Sequence, residues 1–171
     1  HLVGAHARPP FEAPMFFDGG MPMDSLFQAY EQQVKNDLNA SSTAFQKAIK
    51  GKHLSSEWRV VDGFADSELA VHARYADLVV VGQAAPQGDG QTSDDMPEAV
   101  SLATGRPTLV VPHIGVSRAP GKNVMLCWNA SRESARAASD ALPFLKAAEK
   151  VTVLVIDPRS TGGGHGAEPG A

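Results

Sequence analysis

The run Leu78-Val79-Val80-Val81, closed by Gly82, is the feature that most constrains this chain. Four consecutive apolar residues, three of them β-branched, with a glycine stop, describe a strand buried on both faces, and strands of that kind belong to parallel sheets covered by helices. Thr108-Leu109-Val110-Val111-Pro112 repeats the pattern. A short helix near Pro97 to Thr104 lies between the two runs, so the segment reads strand, helix, strand.

The same alternation extends in both directions. Leu2 to His6 reads as a short strand, and a Pro/Gly-punctuated loop from Pro9 to Pro22 follows, carrying Phe11, Met15, Phe16, Phe17 and Met21. So apolar a loop is expected to pack as a flap on the domain or on a partner subunit, with a ligand lid as the less favoured alternative. From Asp24 the period lengthens: Phe27, Tyr30, Val34, Leu38, Phe45 and Ile49 mark one face of a long helix, with Asp24 or Ser25 as N-cap and Gly51 as its end. Trp58 to Val61 gives another strand, closed by the turn Asp62-Gly63. A helix capped by Asp66 follows, with Leu69, Ala70, Ala73 and Tyr75 on its inner side. After the linker Gly115 to Lys122 the pattern restarts with strand Val124 to Trp128, an Ala-rich helix from Arg132 to Glu149, and strand Val151 to Ile156. Pro143 lies inside that helix and is expected to divide it at Leu142-Pro143. The fold class expected is α/β, an open doubly wound parallel sheet.

Composition narrows the function classes. The 171 residues, 43% hydrophobic and 20% charged, suffice for one buried core and a fragment of another. Fifteen Lys plus Arg against nineteen Asp plus Glu give a net charge of -4 with no basic block, so nucleic acid is not an expected partner. No apolar run reaches membrane-spanning length, and no membrane partner is expected. The single cysteine, Cys127, has neither a disulfide partner nor zinc-site spacing, which favours a reducing, cytoplasmic location; lying between Leu126 and Trp128, it is expected to be a buried, inert thiol. The Gly-rich tail from Arg159 to Ala171 is expected to be disordered.

Ala76-Asp77-Leu78-Val79-Val80-Val81-Gly82, then Pro97-Glu98-Ala99-Val100, then Gly105-Arg106-Pro107-Thr108-Leu109-Val110-Val111-Pro112 resemble, in order and spacing, the last third of a universal stress protein domain. The stretch from Val124 through Asn129-Ala130-Ser131-Arg132-Glu133-Ser134 and Asp140-Ala141-Leu142-Pro143 to Pro158 is similar to the opening of a further domain of that family. The resemblance implies a tandem: residues 1–114 as a first domain lacking its opening strand and helix, 115–122 as linker, 123–158 as the start of a second domain, and 159–171 as tail. In the 3-2-1-4-5 sheet it implies, the opening strand is central, and its absence leaves two edges unpaired. Val124 to Trp128 is expected to fill that slot, either within the chain or by exchange between two chains.

The resemblance also supplies candidate nucleotide-pocket positions, Gly82, Ala85, Asn129 and Ser131. Nucleotide-binding members carry G-x2-G-x9-G-[S/T] after the fourth strand, where backbone N–H groups meet phosphate. Here Gly82 remains, the second position is Ala85, and the third falls on Asp94 or Asp95, whose carboxylates repel phosphate. In the second copy the usual D-[GA]-S is Asn129-Ala130-Ser131, where Ser131 reads as an N-cap. The six histidines show no H-x-x-x-H or H-E-x-x-H spacing, and G-x-S-x-G and G-x-G-x-x-G are absent, so no catalytic residue and no metal site are expected. The function implied is a non-enzymatic stress-response protein that acts as a homodimer or through partner association, with apolar edge strands such as Leu109 to Val111 as the contact and no cofactor. The alternative is an ATP-binding universal stress protein with weak or no hydrolysis.

Overall fold

The computed structural model describes residues 1–13, 22–83, 96–116 and 120–156. The Ala85, Asp94 and Asp95 positions, the tail from residue 159, and Met15, Phe16, Phe17 and Met21 of the expected flap lie outside the described residues. The chain is a mixed α/β protein in which every described strand pairing is parallel. The six strands form three separate two-stranded pairs. Two compact units divide them: His1–Ala76 with Ala84–Arg106, and Asp77–Gln83 with Pro107–Ala171.

In the first unit, β1 (Leu2–Arg8) and β2 (Ser56–Asp62) pair in register from Leu2 with Ser56 to Arg8 with Asp62. Both run beyond the apolar stretches that mark them in the sequence, because the ladder continues through polar ends. The Leu2 amide donates to the Ser55 carbonyl (2.8 Å) at one end, and the Gly63 amide to the Arg8 carbonyl (2.9 Å) at the other.

The long helix α1 (Met23–Ile49) joins the two strands. Neither Asp24 nor Ser25 caps it: the N-cap position is Pro22, whose carbonyl accepts from the Ser25 amide (2.9 Å). A proline is suited to this place because it has no N–H to leave unsatisfied and a φ fixed near the helical range. At the other end Lys50 is the C-cap, and Gly51, at φ 74, takes the left-handed turn that a side chain disfavours.

The period of two along a strand assigns the helices to faces of the β1–β2 pair. Gly4 lies under Phe45, and His6 Nδ1 is 3.0 Å from Ser41 Oγ, so the even-numbered face of β1 meets α1. Arg59 is the partner of Ala5 on the opposite face, and its Nη1 is 3.4 Å from His72 Nδ1 on α2 (Ala65–Ala73). Thus β1 carries a helix on each face. α2 in turn packs on α3 (Met96–Thr104), where Ala70, Ala73, Pro97 and Val100 are buried. Arg74 Nε donates to the Ala103 carbonyl (3.4 Å), and Arg106 donates to the Arg74 carbonyl through Nε (2.9 Å) and Nη2 (2.7 Å).

Two expectations about α2 are corrected. Its N-cap residue is Phe64, and Asp66 lies one step inside the helix, where its carboxylate accepts from the Ser67 amide (2.8 Å). Tyr75 falls beyond the last turn and is 87% exposed rather than on the inner face, because the helix stops at Ala73.

In the second unit β3 (Val79–Gly82) pairs with β4 (Thr108–Val111), and β5 (Asn123–Cys127) with β6 (Lys150–Leu154). Val81 is buried while Val80 is 57% exposed, so β3 has one covered face and not the two that its apolar run predicts. β5 takes β6 as its ladder partner, and among the described residues no ladder joins it to β3, so the expected placement of Val124 to Trp128 beside Leu78 to Val81 within this chain is not found. The helical stretch between β5 and β6 divides as Pro143 dictates: α4 (Arg132–Asp140) ends, Ala141 intervenes, and α5 (Leu142–Ala147) restarts with the proline in its first turn. Cys127 is exposed, contrary to the buried thiol expected, because β5 ends at this residue. Among the described residues no helix is long and apolar enough to cross a membrane.

Candidate functional site

Parallel strands present ligands at their carboxyl ends, where helices begin and the chain turns away. Gly82 is the last residue of β3, is exposed, and is followed by the Gln83 amide, which donates to the Val111 carbonyl (2.8 Å). A Cβ at Gly82 would meet nothing within 4 Å, so packing does not demand a glycine here. Its expected neighbour in the phosphate loop, Ala85, lies outside the described residues.

The turn after β5 is built by its own side chains. Asn129 Oδ1 accepts from the Ser131 amide (3.1 Å), Ser131 Oγ accepts from the Ser134 amide (3.1 Å) as the N-cap of α4, and Ser134 Oγ donates back to the Ser131 carbonyl (2.9 Å). Ser131 is therefore the helix cap that its position before Arg132 predicts. Between them Ala130 holds φ 61, a left-handed conformation that costs a non-glycine residue about 1 kcal/mol. Ala130→Gly is expected to stabilise the protein by roughly 0.5 kcal/mol, since relief of that strain exceeds the glycine's added unfolded-state entropy; a urea midpoint measured for both proteins checks it.

The first turn of α4 carries one perturbed carboxyl. The Arg132 guanidinium, with Nε 2.6 Å from Glu133 Oε1, holds Glu133 below the usual carboxylate range. This pair is exposed and acts as a surface charge pair. No hydrogen bond joins Gly82 to Asn129 or Ser131 among the described residues; the side-chain partners of Asn129 and Ser131 are local.

A different crevice is visible at the carboxyl ends of β1 and β2. A cavity of about 350 Å³ opens between these ends and the amino-terminal half of α1. Phe27, Tyr30 and Val34 form its helical wall, and Pro9 and Pro10 face them. The Tyr30 hydroxyl donates to the Pro9 carbonyl and ties the loop to the helix. Phe11 adds a third ring, edge-on to Phe27 at 5.4 Å and 88°. At the floor Arg8 Nη2 holds both carboxylate oxygens of Asp62, at 2.6 and 2.9 Å. The sequence marks Phe27, Tyr30 and Val34 only as a helix face; what it does not reveal is that the ends of β1 and β2 stand off from this part of α1.

The Ser41–His6 contact is structural. The Ser41 hydroxyl donates to the Asp37 carbonyl (2.8 Å), and His6 stacks on Trp58 with ring centres 6.4 Å apart. Among the described residues no group of three or more His, Cys, Asp or Glu side chains is placed to hold a metal ion. Comparison of the chain with protein-family models, with curated proteins and with solved structures returned no match.

Proposed function

We propose that the chain is a piece of a tandem universal stress protein, a cytoplasmic, non-enzymatic protein of the stress response that works by self-association or by binding a partner. The family reading rests on the residues from Ala76 to Pro112 and from Val124 to Pro158. On this reading β1–β2 and β3–β4 correspond to strands 3-2 and 4-5 of the family's open doubly wound sheet; among the described residues β5, whose ladder partner is β6, does not fill the opening-strand position beside β3.

The observation that carries association is the state of β4. Leu109 and Val110 are 40% and 43% exposed on a strand whose only ladder among the described residues is to β3. A two-stranded pair with apolar side chains in water is marginal alone and gains from added strands. The altered loop positions Ala85, Asp94 and Asp95 argue against a nucleotide as the working ligand.

Two measurements test this. Sedimentation at increasing concentration is expected to give a dimer or larger species; a strict monomer at high concentration rejects the association reading. Calorimetric titration with Mg-ATP is expected to give no binding tighter than roughly 100 μM, about 5.5 kcal/mol. Tighter binding would instead favour the ATP-binding alternative.

A further inference from the structure

We propose that the cleft at the carboxyl ends of β1 and β2 is a binding site for a free aromatic α-amino acid. Its volume, about 350 Å³, falls within the range of small-molecule pockets. Its lining comes from the carboxyl ends of two paired parallel strands and the first half of α1. The wall formed by Phe27, Tyr30 and Val34 opposite Pro9 and Pro10 offers a ligand ring the aromatic surface that Phe11, 5.4 Å from Phe27 and 5.3 Å from Tyr30, leaves uncovered.

Charge selects the class of ligand. Four ionic side chains line the cleft, Arg8, Asp62, Glu31 and Lys35, two of each sign, so a ligand with no net charge is favoured. Arg8 and Asp62 satisfy each other. Glu31 and Lys35 stand one turn apart on α1, both exposed, and neither makes a hydrogen bond or ion pair among the described residues. An ion pair between the two at this spacing is worth only about 0.3–0.5 kcal/mol, so a ligand that meets both displaces little. A carboxylate and an ammonium beside an aromatic wall complement the ammonium, carboxylate and ring of a zwitterionic aromatic amino acid. A purely anionic or purely cationic ring compound would leave one of them opposed.

The site belongs wholly to the first unit and uses none of the residues invoked for association or for a nucleotide. The test uses the full chain and three probes of one skeleton: L-phenylalanine, phenethylamine, which lacks the carboxylate, and 3-phenylpropanoate, which lacks the ammonium. Amide chemical shifts are followed during titration. L-Phenylalanine is expected to saturate with a dissociation constant on the order of 1 mM, with shifts centred on Tyr30 and Lys35, and each analogue to bind about threefold more weakly, as the loss of one exposed charge contact implies. Lys35→Ala should remove the advantage over phenethylamine, and Glu31→Gln the advantage over 3-phenylpropanoate; both positions are exposed, so the fold is retained. Absence of saturation, equal binding of the three probes, or an undiminished preference for L-phenylalanine in Lys35→Ala and Glu31→Gln overturns the proposal.

Discussion

Gly4→Val is expected to lower the free energy of unfolding by about 3 kcal/mol, with the denaturant midpoint falling and the slope of the transition unchanged. Gly4 is the ladder partner of Trp58, and two rings close over it. A Cβ placed there would stand 2.6 Å from Phe45 Cδ2, 2.7 Å from Phe45 Cε2 and 2.7 Å from Trp58 Cε3, all inside van der Waals contact. Those rings lie 5.2 Å apart and form the contact through which α1 grips the β1–β2 pair. A side chain at residue 4 therefore lifts the helix from the sheet or forces a ring from its rotamer. Phe45→Leu in the Gly4→Val background should recover part of the loss, since it removes ring atoms from the crowded position. Urea denaturation followed by far-UV circular dichroism checks both variants, and a Gly4→Val midpoint equal to the parent's would mean that the rings move aside freely.

Val110→Lys is expected to weaken self-association by at least about a hundredfold, or 2.7 kcal/mol, while leaving the subunit folded. Val110 sits in the middle of β4 and is already 43% exposed, so the lysine can place its ammonium in water in the isolated chain. In a dimer that covers β4, the ammonium would have to be desolvated, and a lysine on an edge is a common device by which sheets avoid pairing. Leu109→Lys is the natural companion, because neighbouring residues of a strand point to opposite faces and the pair of variants shows which face is covered. Sedimentation equilibrium of the parent and both variants measures the effect. If all three dissociate within threefold of one another, β4 is not the contact.

What the sequence made legible was the element order, and the reasons are local. Period and punctuation announce α1 through Phe27, Tyr30, Val34 and Leu38, and Gly51 and Pro143 mark an end and a break that the backbone respects. What it hid depends on neighbours distant along the chain. Leu78-Val79-Val80-Val81 predicts a strand covered on both faces, yet Val80 is open, because the covering of a face is a property of the whole sheet. Cys127 looks interior between two apolar residues and is exposed because β5 ends there. Asp24, Ser25 and Asp66 have the chemistry of caps but stand two or three residues past the true starts at Pro22 and Phe64. Of the candidate pocket residues, Ser131 declared its capping role through the spacing to Ser134, whereas the cleft beside Tyr30 depends on where β1 and β2 end.

The register of the ladders also bears on the order in which the chain folds. Partners in β1 and β2 are 54 residues apart, as Arg8 and Asp62 show, whereas Lys122 and Glu149 at the start of the β5–β6 pair are separated by 27. For a flexible chain, doubling the loop adds only about 0.6 kcal/mol to the entropy of closure, so distance alone does not rank the two pairings. The intervening chain is not flexible, however: 27 of its residues are α1, a rod roughly 40 Å long once formed. Helix formation converts a long closure into the docking of a rod with two short tethers. During synthesis α1 emerges before any residue of β2 exists, so the rod is complete before its second strand partner arrives.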